Sequence, residues 1–206
     1  MPEPGDAQRR AHITMKYGKT DVIGLIVDYV EESRFEGRII EHAWNNMGWK
    51  PILIDKPRGN WKAGEAIAKT GSRCDVIHIS AHGYPHGIAR DVHGDEGIHP
   101  SALEWLFKEE GPAKKLEDVA LVVNSACNSY STSWINLFTK KLGAKCYVGV
   151  KRKPTFFEGI MFPFAFYLKL GGLTRKRLTS GIVCKAFHDA KKSVHTDAIW
   201  ALKIRD

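Results

Sequence analysis

Cysteine is scarce in this chain: four in 206 residues, at Cys74, Cys127, Cys146 and Cys184, with no CxxC pair among them. That spacing excludes a zinc ribbon and a secreted disulfide framework, and the thiols are expected to be reduced in a cytoplasmic protein. Long hydrophobic runs are missing too. The most apolar window, 156–168, is broken by Glu158, Gly159 and Pro163, and it falls short of the roughly 20 residues a spanning helix needs. The opening MPEPGDAQRR lacks the basic start and apolar stretch of a signal peptide, so residues 1–18 read as a flexible leader and 19–206 as a single domain. No internal repeat or low-complexity tract occurs. Acid is in deficit, with 23 Asp+Glu against 31 Lys+Arg and a net charge of +8. The imbalance is confined to one half: residues 1–103 sum to −1 and residues 104–206 to +9. Those cations lie in helix-like segments without an arginine-rich or aromatic-interleaved motif, which argues against direct nucleic-acid binding.

What is present is a regular alternation. The run Val22–Val27 has the length and composition of a buried strand, and Phe35, Ile39, Ile40, Ala43, Trp44 and Met47 recur at helical spacing until Gly48. Pro51–Ile54 reads as a second strand, and Asn60 as the cap of a helix ending near Gly71. Val76–Ala81 and Val119–Val123 read as two more strands. Between them, after a Gly-rich loop over 84–98, Ser101 and Glu104 form a capping-box pattern ahead of Leu103, Leu106 and Phe107. Ser131 or Ser133 opens a helix that Gly143 ends, and Tyr147–Val150 begins another strand. Thr155 and Glu158 form a second capping box, with Pro163 marking a first turn or a kink. Leu178, Ile182, Ala186 and Ala190 define a last helix, and Ile199–Ile204 a closing strand. This pattern specifies an α/β fold with a mostly parallel, about six-stranded sheet covered by helices on both faces.

In such a sheet, reactive groups gather beyond the carboxyl ends of the strands. One apolar strand runs into His82-Gly83 and another into Ser125-Ala126-Cys127. A thiol with a free pKa of about 8.5 is mostly protonated at neutral pH and needs an imidazole or a helix N-terminus to favour the thiolate. His82 and the helix opening near Ser131 would supply both. Gly83, lacking a side chain, would let its N–H approach an oxyanion together with the Cys127 N–H. Either residue alone is most simply explained by packing, and Cys74, Cys146 and Cys184 keep that explanation. The spacing of His78, His82 and His86 would suit one helix but not a strand entering a loop, so no metal site is expected.

The segments DVIHISAHG (75–83) and LVVNSACNS (121–129) resemble the caspase-like cysteine peptidases, most closely their CHAT-domain branch. Leu142-Gly143-Ala144, the helix end Phe166–Gly172 and the Ala-bearing segment Lys185–Ala190 extend the resemblance over roughly residues 20–200. The resemblance implies a three-layer αβα sandwich and a cofactor-free endopeptidase with Cys127 as nucleophile and His82 as general acid/base. In relatives, an acid near the end of the first strand selects a basic residue before the scissile bond, which nominates Asp28, with Asp91, Asp95 and Glu96 as further substrate-binding candidates and cleavage after Arg or Lys as the expectation. Ser125 stands where eukaryotic caspases carry Gln, so an Asp-specific pocket is not implied. The expected partners are a protein substrate and a separate regulatory protein, with no membrane. A catalytically silent interaction module of the same fold is the first alternative, and a basic nucleic-acid-binding α/β protein the second.

Overall fold

In a computed structural model, the described residues are 22–30, 36–57, 59–84, 87–89, 97–109, 116–174, 177–194 and 199–205. The leader and the substrate-binding candidates Asp91, Asp95 and Glu96 lie outside them.

Strand β1 (Ile23–Asp28) leads into helix α1 (Glu36–Asn46), β2 (Lys50–Asp55) into α2 (Asn60–Gly71), and β3 (Val76–Ser80) follows. After β3 come three short strands, β4 (His82–Tyr84), β5 (Gly87–Ala89) and β6 (Gly97–Ile98), then α3 (Pro100–Glu109) and β7 (Leu121–Asn124). Helix α4 (Thr132–Ile135) widens into a π-helical turn over Asn136–Lys141 before β8 (Cys146–Val150), α5 (Phe156–Leu173), α6 (Ser180–Val194) and β9 (Trp200–Ile204). The main sheet has six strands in the order β2-β1-β3-β7-β8-β9, parallel except for β9, which runs antiparallel to β8. Helices cover both faces, giving a three-layer αβα sandwich.

Alternation along the strands sorts the core into two halves. Leu25, Val27, Ile77, Ile79, Val122 and Tyr147 face α2, α3 and α4. Ile26, Val76, Leu121, Val123, Val148 and Trp200 face α1, α5 and α6. The β3, β7 and β8 side chains are buried on both sides, which is why these strands read as continuous apolar runs.

Three details differ from the sequence expectations. Residues 84–98 are not simply a loop: β4, β5 and β6 form a small antiparallel sheet whose Ile88, Ala89 and Ile98 are buried. Helix α3 begins at Pro100, so Ser101 lies inside it rather than capping it; proline suits a first helical position because the missing N–H has no partner there. Glu104 instead pairs with Lys108 and Lys141. Helix α5 runs through Pro163 to Leu173, opened by the expected box: the Thr155 N–H donates to Glu158 Oε2 at 2.8 Å and the Glu158 N–H to Thr155 Oγ1 at 3.3 Å.

Candidate active site

The carboxyl ends of β1, β3, β7 and β8 share one edge of the sheet. In the β1–β3 register Asp28 is level with Ser80, and in the β3–β7 register Ile79 is level with Asn124. Carried forward, that second register sets Ser80 beside Ser125 and, two residues on, His82 beside Cys127. The Ser125 N–H donates to Ile79 O at 2.9 Å, so pairing does continue past the last strand residue.

Gly83 gives the most direct measure of how closely the two chains approach. A Cβ added there would overlap the backbone N, C and O of Cys127. Only a residue without a side chain fits, and the requirement is steric rather than torsional. His82 and Cys127 therefore stand on adjoining backbone segments, both partly exposed.

The Cys127 corner is held by its neighbours. Ala126–Ser129 form a tight turn closed by the Ser129 N–H to Ala126 O at 3.2 Å, with Asn128 at φ 57° supplying the left-handed residue. Ser129 Oγ donates to Asn124 O at 2.7 Å and accepts from the Val150 N–H at 2.9 Å. The Ser129 carbonyl accepts from the buried Tyr147 hydroxyl at 2.8 Å, and Asn124 Oδ1 accepts from the Ala126 N–H at 3.2 Å. Two residues beyond, Ser131 caps α4 by accepting from the Trp134 N–H. This network fixes the backbone of the turn that carries Cys127 at the sheet edge.

Beneath that edge, on the α1 and α5 side, lies a buried polar cluster. His78 Nε2 stands 3.1 Å from Glu36 Oε1 and Nδ1 3.0 Å from the Tyr167 hydroxyl. With Nε2–H donating to Glu36, the Tyr167 O–H donates to Nδ1, and a neutral ring is satisfied at both nitrogens. Ser80 Oγ donates to Glu36 Oε2 at 2.7 Å. Burial raises Tyr167 well above the usual phenol range.

Asp28 belongs to this cluster. It lies at the carboxyl end of β1, as expected, but is only 1% exposed, and its Oδ2 accepts from the Gly37 N–H at 3.1 Å. Oδ1 is buried without a partner among the described residues. Burial, reinforced by the Glu36 carboxylate, pushes the Asp28 carboxyl from 3.8 up to about 6. Glu36 and Tyr167 escaped the sequence reading because nothing local marks them; the cluster joins residues 36, 78, 80 and 167.

The other thiols differ in setting. Cys74 and Cys146 are buried; burial pushes the Cys74 thiol up to about 11 and also raises Cys146. Cys184 is partly exposed on α6. A cavity of about 450 Å³ opens between α3 and α4, lined by His99, Glu104, Ser131, Trp134 and Lys141 among others; neither His82 nor Cys127 lines it. Among the described residues no group of three or more His, Cys, Asp or Glu is arranged to hold a metal, and no helix is long and apolar enough to cross a membrane.

No family model matches the sequence, and no curated protein matches it. Among solved structures the fold does find a match. One described as "Structure of Protease" superposes with a TM-score of 0.50 at 13% identity, covering 92% of this chain and 48% of its own. A second, Salmonella D-lactate dehydrogenase, gives a TM-score of 0.34 at 13% identity over 85% of this chain and 39% of its own. The chain thus spans about half, or less, of the length of these two structures. Its fold is similar to that of a chain described as a protease.

Proposed function

We propose that the chain is a caspase-like, CHAT-type cysteine endopeptidase acting through Cys127 and His82. The observation that carries this reading is the packing of Gly83 on the Cys127 backbone, which supports a site where the residues that bear the thiol and the imidazole adjoin. The Cys127 thiolate attacks the scissile carbonyl carbon, and the oxyanion accepts hydrogen bonds from the Gly83 and Cys127 N–H groups. His82 takes the thiol proton and delivers it to the leaving amine. Water then hydrolyses the thioester, giving back its proton through the same imidazole. None of these steps calls for a cofactor, and the fold shared with a chain described as a protease agrees with a hydrolase.

Cleavage after Arg or Lys fits the carboxylates at the end of β1. Asp28 carries a buried oxygen without a hydrogen-bond partner among the described residues, beside Glu36, and a guanidinium or ammonium entering there would relieve the repulsion between them. One observation favours a second reading, an interaction module without turnover: Asp28 is 1% exposed, so a basic side chain must first open the recess. A regulatory partner in the cytoplasm that opens it reconciles the two.

The test compares wild type, Cys127→Ala and His82→Ala on a mixed peptide library, with cleavage sites read by mass spectrometry, with and without lysate of the source cell. Cuts after Arg or Lys that vanish in both variants are expected. Gly83→Ala, which wedges the strand ends apart, should lower kcat about a hundredfold. Cleavage surviving in Cys127→Ala overturns the mechanism, and silence under every condition leaves the interaction module.

A further inference from the structure

The rim of the sheet edge next to Cys127 is basic and apolar at once. Strand β8 pairs in parallel with β7, Asn124 level with Gly149; just beyond that pair the chain after β7 turns through Cys127 and the chain after β8 runs into Lys151-Arg152-Lys153. The segment is tied to the Cys127 corner at its base. The Tyr130 N–H donates to Val150 O and the Val150 N–H to Ser129 Oγ, both at 2.9 Å, while the Lys151 N–H is held by Ile199 O at 2.8 Å. From this fixed base Lys151, Arg152 and Lys153 are all exposed. Phe157, in the first turn of α5, is 69% exposed, more than any other large hydrophobic among the described residues. Glu158, in the same first turn, is engaged in the Thr155 capping box and also feels the charge of Arg152.

Several other exposed cations are matched to acids, Arg38 with Glu41 and Asp55, Lys69 with Glu65, Lys141 with Glu104 and Lys185 with Asp189. No such ion pair is seen for Lys151, Arg152 or Lys153 among the described residues. Three adjacent cations beside an exposed phenyl ring complement a segment that alternates acidic and apolar side chains.

We infer that the Lys151-Arg152-Lys153 and Phe157 rim docks an acidic, apolar-bearing segment of the substrate polypeptide, flanking the bond presented to Cys127. The inference rests on the peptidase reading for its substrate, but docking can be measured without turnover. Binding of a fluorescein-labelled peptide alternating Glu with Leu is followed by anisotropy on the full Cys127→Ala chain and on the same chain with Lys151→Glu, Arg152→Glu and Lys153→Glu. Phe157→Ser is measured alongside. All the substituted residues are exposed, and an unchanged thermal midpoint checks that each variant is folded.

The expected result is binding that weakens as salt rises and falls about tenfold on charge reversal, with a smaller loss in Phe157→Ser. Binding absent at low salt, or equal in all variants, overturns the inference. A single-stranded oligonucleotide that binds more tightly and loses affinity in the same variants also overturns it, because the rim then reads phosphate.

A turnover arm separates the two readings. Two peptides sharing one Arg-containing cleavage site, one carrying the acidic segment, are given to the chain with the original Cys127. Charge reversal should raise KM for the acidic peptide about tenfold and leave the plain peptide unchanged. Docking that behaves as expected with no cleavage of either peptide upholds the surface and removes the peptidase.

Discussion

The two faces of the central sheet are packed by different chemistry. Toward α2, α3 and α4, aromatic rings stack face to face, with Trp134 on Phe138 at 5.8 Å and Phe138 on Tyr147 at 5.5 Å. Toward α1, α5 and α6 aromatic rings pack as well, including Phe162 against Trp200 at 4.6 Å. Only that second face also buries Asp28, Glu36 and His78, the buried carboxylates and histidine among the described residues. Both faces reach the edge that carries Cys127, yet only one arrives with carboxylates. A buried carboxylate is costly unless paired, so the second face gives up stability where the first maximises it, and it does so within two residues of His82.

The largest effect expected from this contrast belongs to the apolar face. Phe138→Ala, at a fully buried ring, should cost about 4 kcal/mol, by the same amount across the acid and neutral range; chemical denaturation at two pH values measures it. A pronounced pH dependence there would remove the distinction between the faces.

Next in size is Asp28→Asn. The Asp28 carboxyl is raised from 3.8 to about 6 in the fold, so the native state holds its proton more tightly than the unfolded chain. Its contribution is fully present below 3.8 and is lost as pH rises through about 6. The asparagine retains an acceptor for the Gly37 N–H and should therefore be about 2 kcal/mol more stable than wild type above neutrality. The gain should vanish in acid, and cleavage after Arg or Lys should weaken with it.

Ser80→Ala removes one donor from Glu36 and should cost about 1 kcal/mol, with a matched change at Leu103 on the other face serving as the apolar reference. The mildest probe is alkylation of the folded protein. Iodoacetamide should modify Cys127 and Cys184 and spare Cys74 and Cys146, one on each face and both buried; peptide mapping reads the outcome. Labelling of Cys74 before unfolding would mean that the apolar face opens on its own.

Much of the scaffold was legible because the parallel strands are buried on both sides: VIGLIV, VIHIS and LVVN announce themselves as apolar runs. The Thr155–Glu158 box was legible because both partners lie within one turn. Strands β4, β5 and β6 were not, since two or three residues are too few to display alternation. The π-helical turn after α4 has no local signal of its own. At the candidate site, His82, Gly83 and Cys127 were nominated from strand endings. The sealing of Asp28 by α1 was invisible, because it depends on where Glu36 and Gly37 are carried by the packing of α1.

Among the described residues strand β2 stands at one end of the sheet, and the outer side of such a strand is a template for another strand. The Lys50 N–H turns inward to Val22 O and the Lys56 N–H to Asp28 O, both at 2.9 Å, so the odd-numbered positions between them turn outward. The first of these is Pro51. A proline costs the internal ladder nothing there, and it leaves an arriving chain one donor short. Self-assembly through this margin is thereby discouraged at a single imino acid, and exchanging it for valine would hand the molecule a route to fibrils.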